Sequence, residues 1–241
     1  MAQLVASWCR LRATPPAELL PVLQNLNDLL ARIGALLDSE RRFTADAAHE
    51  LRTPLTVLIT EAQLTLSRER TTTEYKESVA ASLETAQQMR KLANSLLELS
   101  RFDAGQEKLE RETMDLGALA KECVKLITPL ASERRIRIHC DLPSANVEAD
   151  PNRIQQVITN LLTNAVRYNR ENGGIFITIQ EEEHLTILAV ADTGGGISEK
   201  DLPRVFERFY RADKSRASGG SGLGLAISKA IVVAHGGTIE V

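Results

Sequence analysis

Phe43-Thr44-Ala45-Asp46-Ala47-Ala48-His49-Glu50-Leu51-Arg52-Thr53-Pro54-Leu55 puts an imidazole and a hydroxyl one helical turn apart, and the apolar spacing around this stretch decides how the first part of the chain folds. Upstream, Val22, Leu26, Leu29, Ile33, Leu36, Phe43 and Ala47 recur in steps of four and three, with Glu40 the one polar interruption. That spacing is a coiled-coil seam, and it predicts a helix from about Glu18, after Thr14-Pro15-Pro16, to Leu66. A second amphipathic stretch, about Thr73 to Ala104, gathers Val79, Leu83, Ala86, Ala93, Leu96 and Leu97 on one side and stops at Gly105. Two such helices joined by a short polar turn enclose too little apolar surface. The expected remedy is pairing of two hairpins as a four-helix bundle, hence a homodimer; an intramolecular helical bundle is the alternative.

Composition narrows the rest. At 241 residues, 43% hydrophobic and 25% charged, the chain has material for one or two real cores, which excludes disorder and a purely fibrous chain. A net charge of -3 and 4% aromatics leave neither a basic footprint nor stacking platforms, so no nucleic-acid partner is expected. Cys9, Cys123 and Cys140 have no paired short spacing, which argues against a disulfide framework or a zinc cluster and for a reducing compartment. No apolar run reaches the length of a membrane span, and Met1 to Ala13 is too short and too interrupted by Arg10 and Arg12 for a signal peptide.

Beyond Gly105 the pattern changes. A charged connector, Gln106 to Glu112, leads to a helix over Leu116 to Glu133, then alternating Ile136, Ile138 and Cys140. Asp150-Pro151 caps a helix reaching Tyr168. Gly173-Gly174 turns into Ile175, Ile177 and Ile179, and a hairpin around Glu182-Glu183-His184 returns through Leu185 to Ala191. The chain as a whole reads as α+β: a helical hairpin followed by an α/β layer.

Three motifs in this second half carry chemistry. On the helix from Pro151, Ile154, Ile158, Leu161 and Ala165 form the buried stripe, and Asn160, Asn164 and Arg167 form another, a quarter to a third of a turn away. Asparagine oxygens suit a hard cation such as magnesium and a guanidinium suits phosphate, although a solvated polar face would show the same stripe. Asp192-Thr193-Gly194-Gly195-Gly196-Ile197 ends a strand with a carboxylate able to accept from an exocyclic amine such as adenine's, and with glycines that let the backbone approach the ring. Asp-Thr-Gly is also the catalytic triplet of aspartic proteases, whose strand-rich barrel this largely helical chain does not offer. Gly219-Gly220-Ser221-Gly222-Leu223-Gly224-Leu225 opens an apolar helix and presents backbone N–H groups to phosphate oxygens. It is not a Walker loop, because Leu225 stands where Lys is required, and it is not the dinucleotide fingerprint. Between the glycine boxes lies Phe206-Glu207-Arg208-Phe209-Tyr210-Arg211, then Lys214 and Arg216, basic side chains able to close over a triphosphate.

Taken in their order, these motifs resemble those of the sensor histidine kinases of two-component systems, from about residue 20 to the C-terminus. The stretch around His49 looks like that family's phosphoacceptor box, and the later motifs look like its ATPase domain, an α/β sandwich of the Bergerat fold. The resemblance implies a partial HAMP-like linker helix over residues 1–43, a dimerisation and phosphotransfer domain over 44–110, and an ATP-binding domain over 111–241. It implies ATP and Mg2+, with His49 the phosphorylated nucleophile, Glu50 its acid–base partner and Thr53 placing water for dephosphorylation of a response regulator receiver domain. Asn160 and Asn164 would hold the metal and phosphates, Arg167 would touch phosphate, and Tyr168 would pack by the adenine. Asp192 would read adenine, with Gly194 and Gly196 lining its pocket. Arg208 and the backbone of Ser221, Gly222, Leu223 and Gly224 would close on the phosphates. The chain is then expected to be the cytoplasmic portion of an inner (plasma) membrane protein. Residues 235–241 begin a strand whose hairpin partner the family supplies next, so a C-terminal truncation is expected. A dimeric ATP-binding switch or scaffold without phosphotransfer is the non-enzymatic alternative.

Overall fold

The computed structural model describes residues 20–183, 185–212 and 221–241. The linker residues before Leu20, Cys9, His184, Lys214, Arg216 and the first two glycines of the second glycine box lie outside the described residues, as do the side chains of Val22 and Leu36. The chain divides between Ala48 and His49 into two units. Among the described residues no helix is long and apolar enough to cross a membrane.

The first helix, α1 (Leu20–Leu66), runs 47 residues, about 70 Å at 1.5 Å per residue. In the first unit Leu26, Leu29 and Ile33 of the seam are each exposed, Leu29 by 54%, while Phe43 and Ala47 are half-buried. In the second unit α1 continues through Pro54, which has no N–H to offer the carbonyl four residues back.

After a polar turn, Thr71 caps α2 (Thr72–Asp103) in a reciprocal capping box: the Glu74 N–H donates to Thr71 Oγ1 at 3.3 Å and the Thr71 N–H donates to Glu74 Oε2 at 2.8 Å. The hairpin is tied near its turn by a 2.5 Å hydroxyl pair, Thr65 and Ser78. Gly105, with φ at +62°, ends α2 as expected, its N–H on the Phe102 carbonyl and the Gln106 N–H on the Arg101 carbonyl. Val79 and Leu83 stand 66% and 58% exposed on α2, so within one chain the hairpin leaves an apolar face open to solvent.

The rest of the second unit is a layer of helices on a mixed sheet. Strand β1 (Glu112–Asp115) pairs antiparallel with β3 (Asn146–Ala149). Between them lie α3 (Leu116–Glu133) and β2 (Arg137–Asp141). Next come α4 (Pro151–Arg167), β4 (Gly174–Glu182), β5 (Leu185–Asp192), a 3-10 turn at Leu202–Arg204 and α5 (Gly224–Ala234). The larger sheet has the order β2-β4-β5, with β2 parallel to β4 and β4 antiparallel to β5.

The β1–β3 ribbon is a departure from the sequence reading, which placed Glu112 in the connector and saw no strand at 146–149. Glu-Thr-Met-Asp and Asn-Val-Glu-Ala bury little, so neither has the apolar alternation by which strands are recognised. A second departure is at the C-terminus. Thr238 to Val241, expected to begin a strand, joins neither sheet, because a strand exists only through ladder bonds and none is made there.

Two cores hold this unit. In one, Ile175, Ile177 and Ile179 of β4 face Ala120, Cys123 and Ile127 of α3 and Ile158, Leu162 and Ala165 of α4. The period of two on the strand and of three to four on the helices makes each element contribute one face. In the other, Leu223, Ile227 and Ile231 on and just before α5 pack with Val157 of α4 and with Leu92 and Leu99 of α2. That second core ties the helical hairpin to the α/β half.

Polar contacts reinforce the same junction. Arg153 of α4 donates through Nη1 to Glu98 of α2 at 2.7 Å and through Nη2 to Glu107 of the connector, and Gln156 donates to the other Glu98 oxygen at 2.9 Å. The Glu110 N–H donates to Asp150 Oδ2 at 3.0 Å, and Arg111 donates to the Ala234 carbonyl at 2.7 Å. The connector is therefore bonded at Glu107, Glu110 and Arg111.

Candidate functional site

The site is assembled from α4, the end of β5 and the start of α5. Asp150 starts α4: its Oδ1 accepts the Asn152 and Arg153 N–H groups at 3.0 and 3.2 Å, and Pro151 follows where no N–H is needed. Burial alone would raise the Asp150 carboxyl, but the N–H donors of Glu110, Arg153 and Asn152 hold it below the ordinary aspartate value. With the start of α4 fixed and its apolar stripe in the first core, Asn160, Asn164 and Arg167 are left half-buried along a second stripe.

Asn160 lies against the start of α5. Its Nδ2 donates to Ser228 Oγ at 2.9 Å, and its Oδ1 sits so close to Gly224 that any Cβ there would collide with it. Gly224 is therefore needed for contact with α4 as well as for an open helix start. Leu223, at the N-terminus of α5, offers no side-chain cap, and a helix start with its dipole suits an anion. Gly222 has φ at +67°, and a Cβ on it would come within 2.7 to 2.9 Å of three backbone atoms of Phe209. Leu223 enters only through its backbone, since its side chain is fully buried in the second core.

Asp192 ends β5 at the surface, its Oδ1 accepting the Gly194 N–H at 2.8 Å. A Cβ on Gly194 would run into the Tyr168 carbonyl and Asp192 Oδ1, so this glycine lets the first glycine box close on the end of α4. Gly196 needs its φ of +64° but faces open space. Tyr168, the C-terminal cap of α4, is 42% exposed beside this turn. The end of a three-stranded sheet covered by helices is not the barrel of an aspartic protease.

Residues 198–210, within the segment between the boxes, are packed. Ser198 and Tyr210 hydroxyls donate to Asp201 at 2.6 Å each and hold its carboxyl below the usual range, Ser198 the more. The Arg204 guanidinium stacks 4.3 Å over the Tyr210 ring, and Phe209, at φ +60°, packs on the second core. Arg208 donates to both oxygens of Asp103 at 2.5 and 2.6 Å, which bonds it to the last residue of α2.

His49 is exposed on α1, and the Thr53 hydroxyl donates to the His49 carbonyl at 3.3 Å, one turn away as the sequence requires. Glu50 comes next on the helix and is half-buried.

Sequence reasoning missed Asn169, Thr193 and Arg134. Asn169 is 5% exposed and bonds to Gly174 and Thr193; Arg134 donates to the carbonyls of Val166, Arg167 and Asn169. Asn169 follows the helix cap Tyr168, a residue already singled out, which was an available signal. Arg134 gave none, because its partners are carbonyls brought to it by the fold.

Asparagine oxygens, an uncapped helix start and a carboxylate at a glycine turn make a donor set that fits a magnesium nucleotide. Residues 39–105 match the model of the His Kinase A (phospho-acceptor) domain, and residues 149–241 match that of the histidine kinase-, DNA gyrase B- and HSP90-like ATPases. The sensor histidine kinase CusS of Escherichia coli (strain K12) is 35% identical over 230 residues, 95% of this chain and 48% of its own length. The chain thus spans about half the length of such curated relatives. The structure of the Acinetobacter baumannii histidine kinase AdeS superposes with a TM-score of 0.63 at 30% identity, over 77% of this chain and 86% of that one. The histidine kinase ThkA, in complex with the response regulator protein TrrA, shares the fold at a TM-score of 0.62 and 23% identity, over 93% of this chain and 62% of that one.

Proposed function

We propose, from the premise that this chain belongs to the sensor histidine kinases of two-component systems, that it transfers the γ-phosphoryl group of ATP to His49 and then to an aspartate of a response regulator. The observation that carries the reading is the closure of both glycine boxes on one helix: Gly224 against Asn160 and Gly194 against the Tyr168 carbonyl, at the two ends of the polar stripe of α4. That arrangement supports adenine at Asp192 and Tyr168 and the phosphates at Asn160, Asn164, Arg167 and the N–H groups of Ser221, Gly222, Leu223 and Gly224. A magnesium ion held by the Asn160 and Asn164 oxygens would neutralise phosphate charge.

In the transfer, an imidazole nitrogen of His49 attacks the γ-phosphorus in line, an N–P bond forms as the bond to the ADP oxygen breaks, and Glu50 takes the imidazole proton. Neighbours on a helix do not share a face, so Glu50 must reach the ring by rotating about its own side chain. Arg208 would join the phosphate set only after leaving Asp103. Domain limits of 44–110 and 111–241 belong to the same reading, as does a homodimer that covers the open faces of α1 and α2. Attachment to a membrane and a place on its cytoplasmic side rest on likeness to sensor kinases such as CusS. Thr53, whose hydroxyl is needed only to orient water, would serve dephosphorylation of the regulator.

Incubation with γ-labelled ATP tests the central claim. Label on the protein should be acid-labile and alkali-stable, and His49→Gln should abolish it while nucleotide binding persists. Label surviving in that variant overturns the assignment. Thr53→Ala should keep autophosphorylation and lose regulator dephosphorylation; equal loss of both would mean a damaged helix.

A further inference from the structure

Asp192 is exposed, and its Oδ1 accepts the Gly194 N–H of its own turn at 2.8 Å, so the carboxylate meets an exocyclic amine only where that turn is itself held in place. Its neighbour Thr193 is bonded to other segments. The Thr193 hydroxyl accepts the Gly174 N–H at 2.9 Å and donates to Asn169 Oδ1 at 3.2 Å, while the Thr193 N–H donates to the Gly174 carbonyl at 3.1 Å. Asn169 Nδ2 donates to that same carbonyl at 3.0 Å, and its Oδ1 also accepts the Arg170 N–H at 3.0 Å. Gly173 is needed beside this ring, because a Cβ there would strike Asn169 Oδ1 and come within 2.8 Å of Thr193 Oγ1. Beneath it, the Arg134 guanidinium gathers the Arg167 and Asn169 carbonyls at 2.7 and 2.9 Å.

The ring joins three chain segments: the end of α4, the start of β4 and the end of β5. Asn169 directly follows Tyr168, and Thr193 directly follows Asp192. The two residues that would meet the base are thus each one peptide away from a bonded polar group of the ring. A hydroxyl that both accepts and donates has no rotational freedom left, and an amide bonded at both ends cannot flip.

We propose that Thr193 and Asn169 are positioning residues that set the selectivity of the site for adenine, by fixing the Asp192 carboxylate relative to Tyr168 at the place where it accepts from an amine. The inference rests on the nucleotide-binding reading above. Hydrogen bonds weaken steeply with misalignment, so a loosened carboxylate loses discrimination before it loses affinity for phosphate.

The test is the ratio of affinities for ATP and inosine triphosphate, which carries an oxygen in place of the exocyclic amine. The magnesium salt of each is titrated separately against the full chain, and each variant is melted in parallel. Wild type should prefer ATP, Thr193→Val should move the ratio about tenfold toward one, and Thr193→Ser should restore it. If Thr193→Val does not fold, Thr193→Ala and Asn169→Ser read the same ratio. A Thr193→Val protein that melts lower but keeps the wild-type ratio overturns the proposal, since the ring would then be only structural. Wild type that binds neither triphosphate, or both equally, overturns the nucleotide or adenine reading itself and this inference with it.

Discussion

Three glycines in the two boxes form a graded experiment, because the structure gives each a different reason to be glycine. At Gly195 an added Cβ meets nothing within 4 Å and φ is ordinary; at Gly196 the space is equally open but φ is +64°; at Gly222 φ is +67° and the Cβ falls 2.7, 2.8 and 2.9 Å from the Phe209 carbonyl carbon, Cα and oxygen. Alanine at a left-handed position costs about 1–2 kcal/mol, from the approach of Cβ to the following carbonyl. At Gly222 a second cost is added. Ordinary carbon contacts begin near 3.4 Å, so Phe209 must retreat by roughly half an ångström or more, and as backbone it has no rotamer to change. Phe209 is itself at φ +60° and packed on the second core, so its retreat disturbs Leu223 and Ile227. Expected losses of stability are therefore about zero for Gly195→Ala, about 1 kcal/mol for Gly196→Ala and about 2–4 kcal/mol for Gly222→Ala. Urea unfolding without nucleotide measures all three on one scale. Gly222→Ala no worse than Gly196→Ala would refute the claim that contact with the Phe209 backbone is what this glycine serves.

Leu162→Ala, at a fully buried position in the first core, should cost about 2–5 kcal/mol by chemical denaturation, and a smaller loss would mean that the helix layer collapses onto the gap. Arg153→Met should cost about 1–3 kcal/mol, because the Glu98 and Glu107 carboxylates, 16% and 11% exposed, lose the cation between them. Adding Glu98→Gln and Glu107→Gln should recover most of that loss; no recovery would assign it to lost packing instead. Asp150 has a lowered native carboxyl and an unfolded value of about 3.9, so its contribution is complete above that pH and drains away as the pH falls through the native value. Asp150→Asn should accordingly be less stable than wild type at neutral pH and converge on it in acid; a gap that stays constant with pH would remove ionisation as the cause.

The long elements were legible because each repeats one signal many times. The expected helix over Leu116 to Glu133 is observed with those bounds, α1 ends at Leu66 as expected, and α2 falls within one residue of expectation at each end. Gly105 stopped α2 and Asp150-Pro151 started α4, since local chemistry at a helix end needs no tertiary help. The β1–β3 ribbon was not legible, because four-residue strands with mostly solvated side chains carry no period. In the site, residue types announced Asn160, Asp192 and the glycines. What the pattern left out was the support: that Asn160 leans on Gly224 and Ser228, that Leu223 is core, and that Arg208 is held by Asp103. Those facts depend on which surfaces meet, which is a property of the folded chain.

The bonded connector has a consequence for amide exchange. A loose tether would trade its backbone protons with solvent almost as fast as an unfolded peptide. Here the Glu110 N–H is held on a buried carboxylate that also starts α4, and the neighbouring Arg111 side chain reaches the end of α5. Deuterium should therefore enter at Glu110 only when this contact opens, in step with the N–H groups of Asn152 and Arg153 that share Asp150. The connector between hairpin and candidate site would be silent on the timescale of loop motion and would report instead on rare, concerted openings of the helix junction.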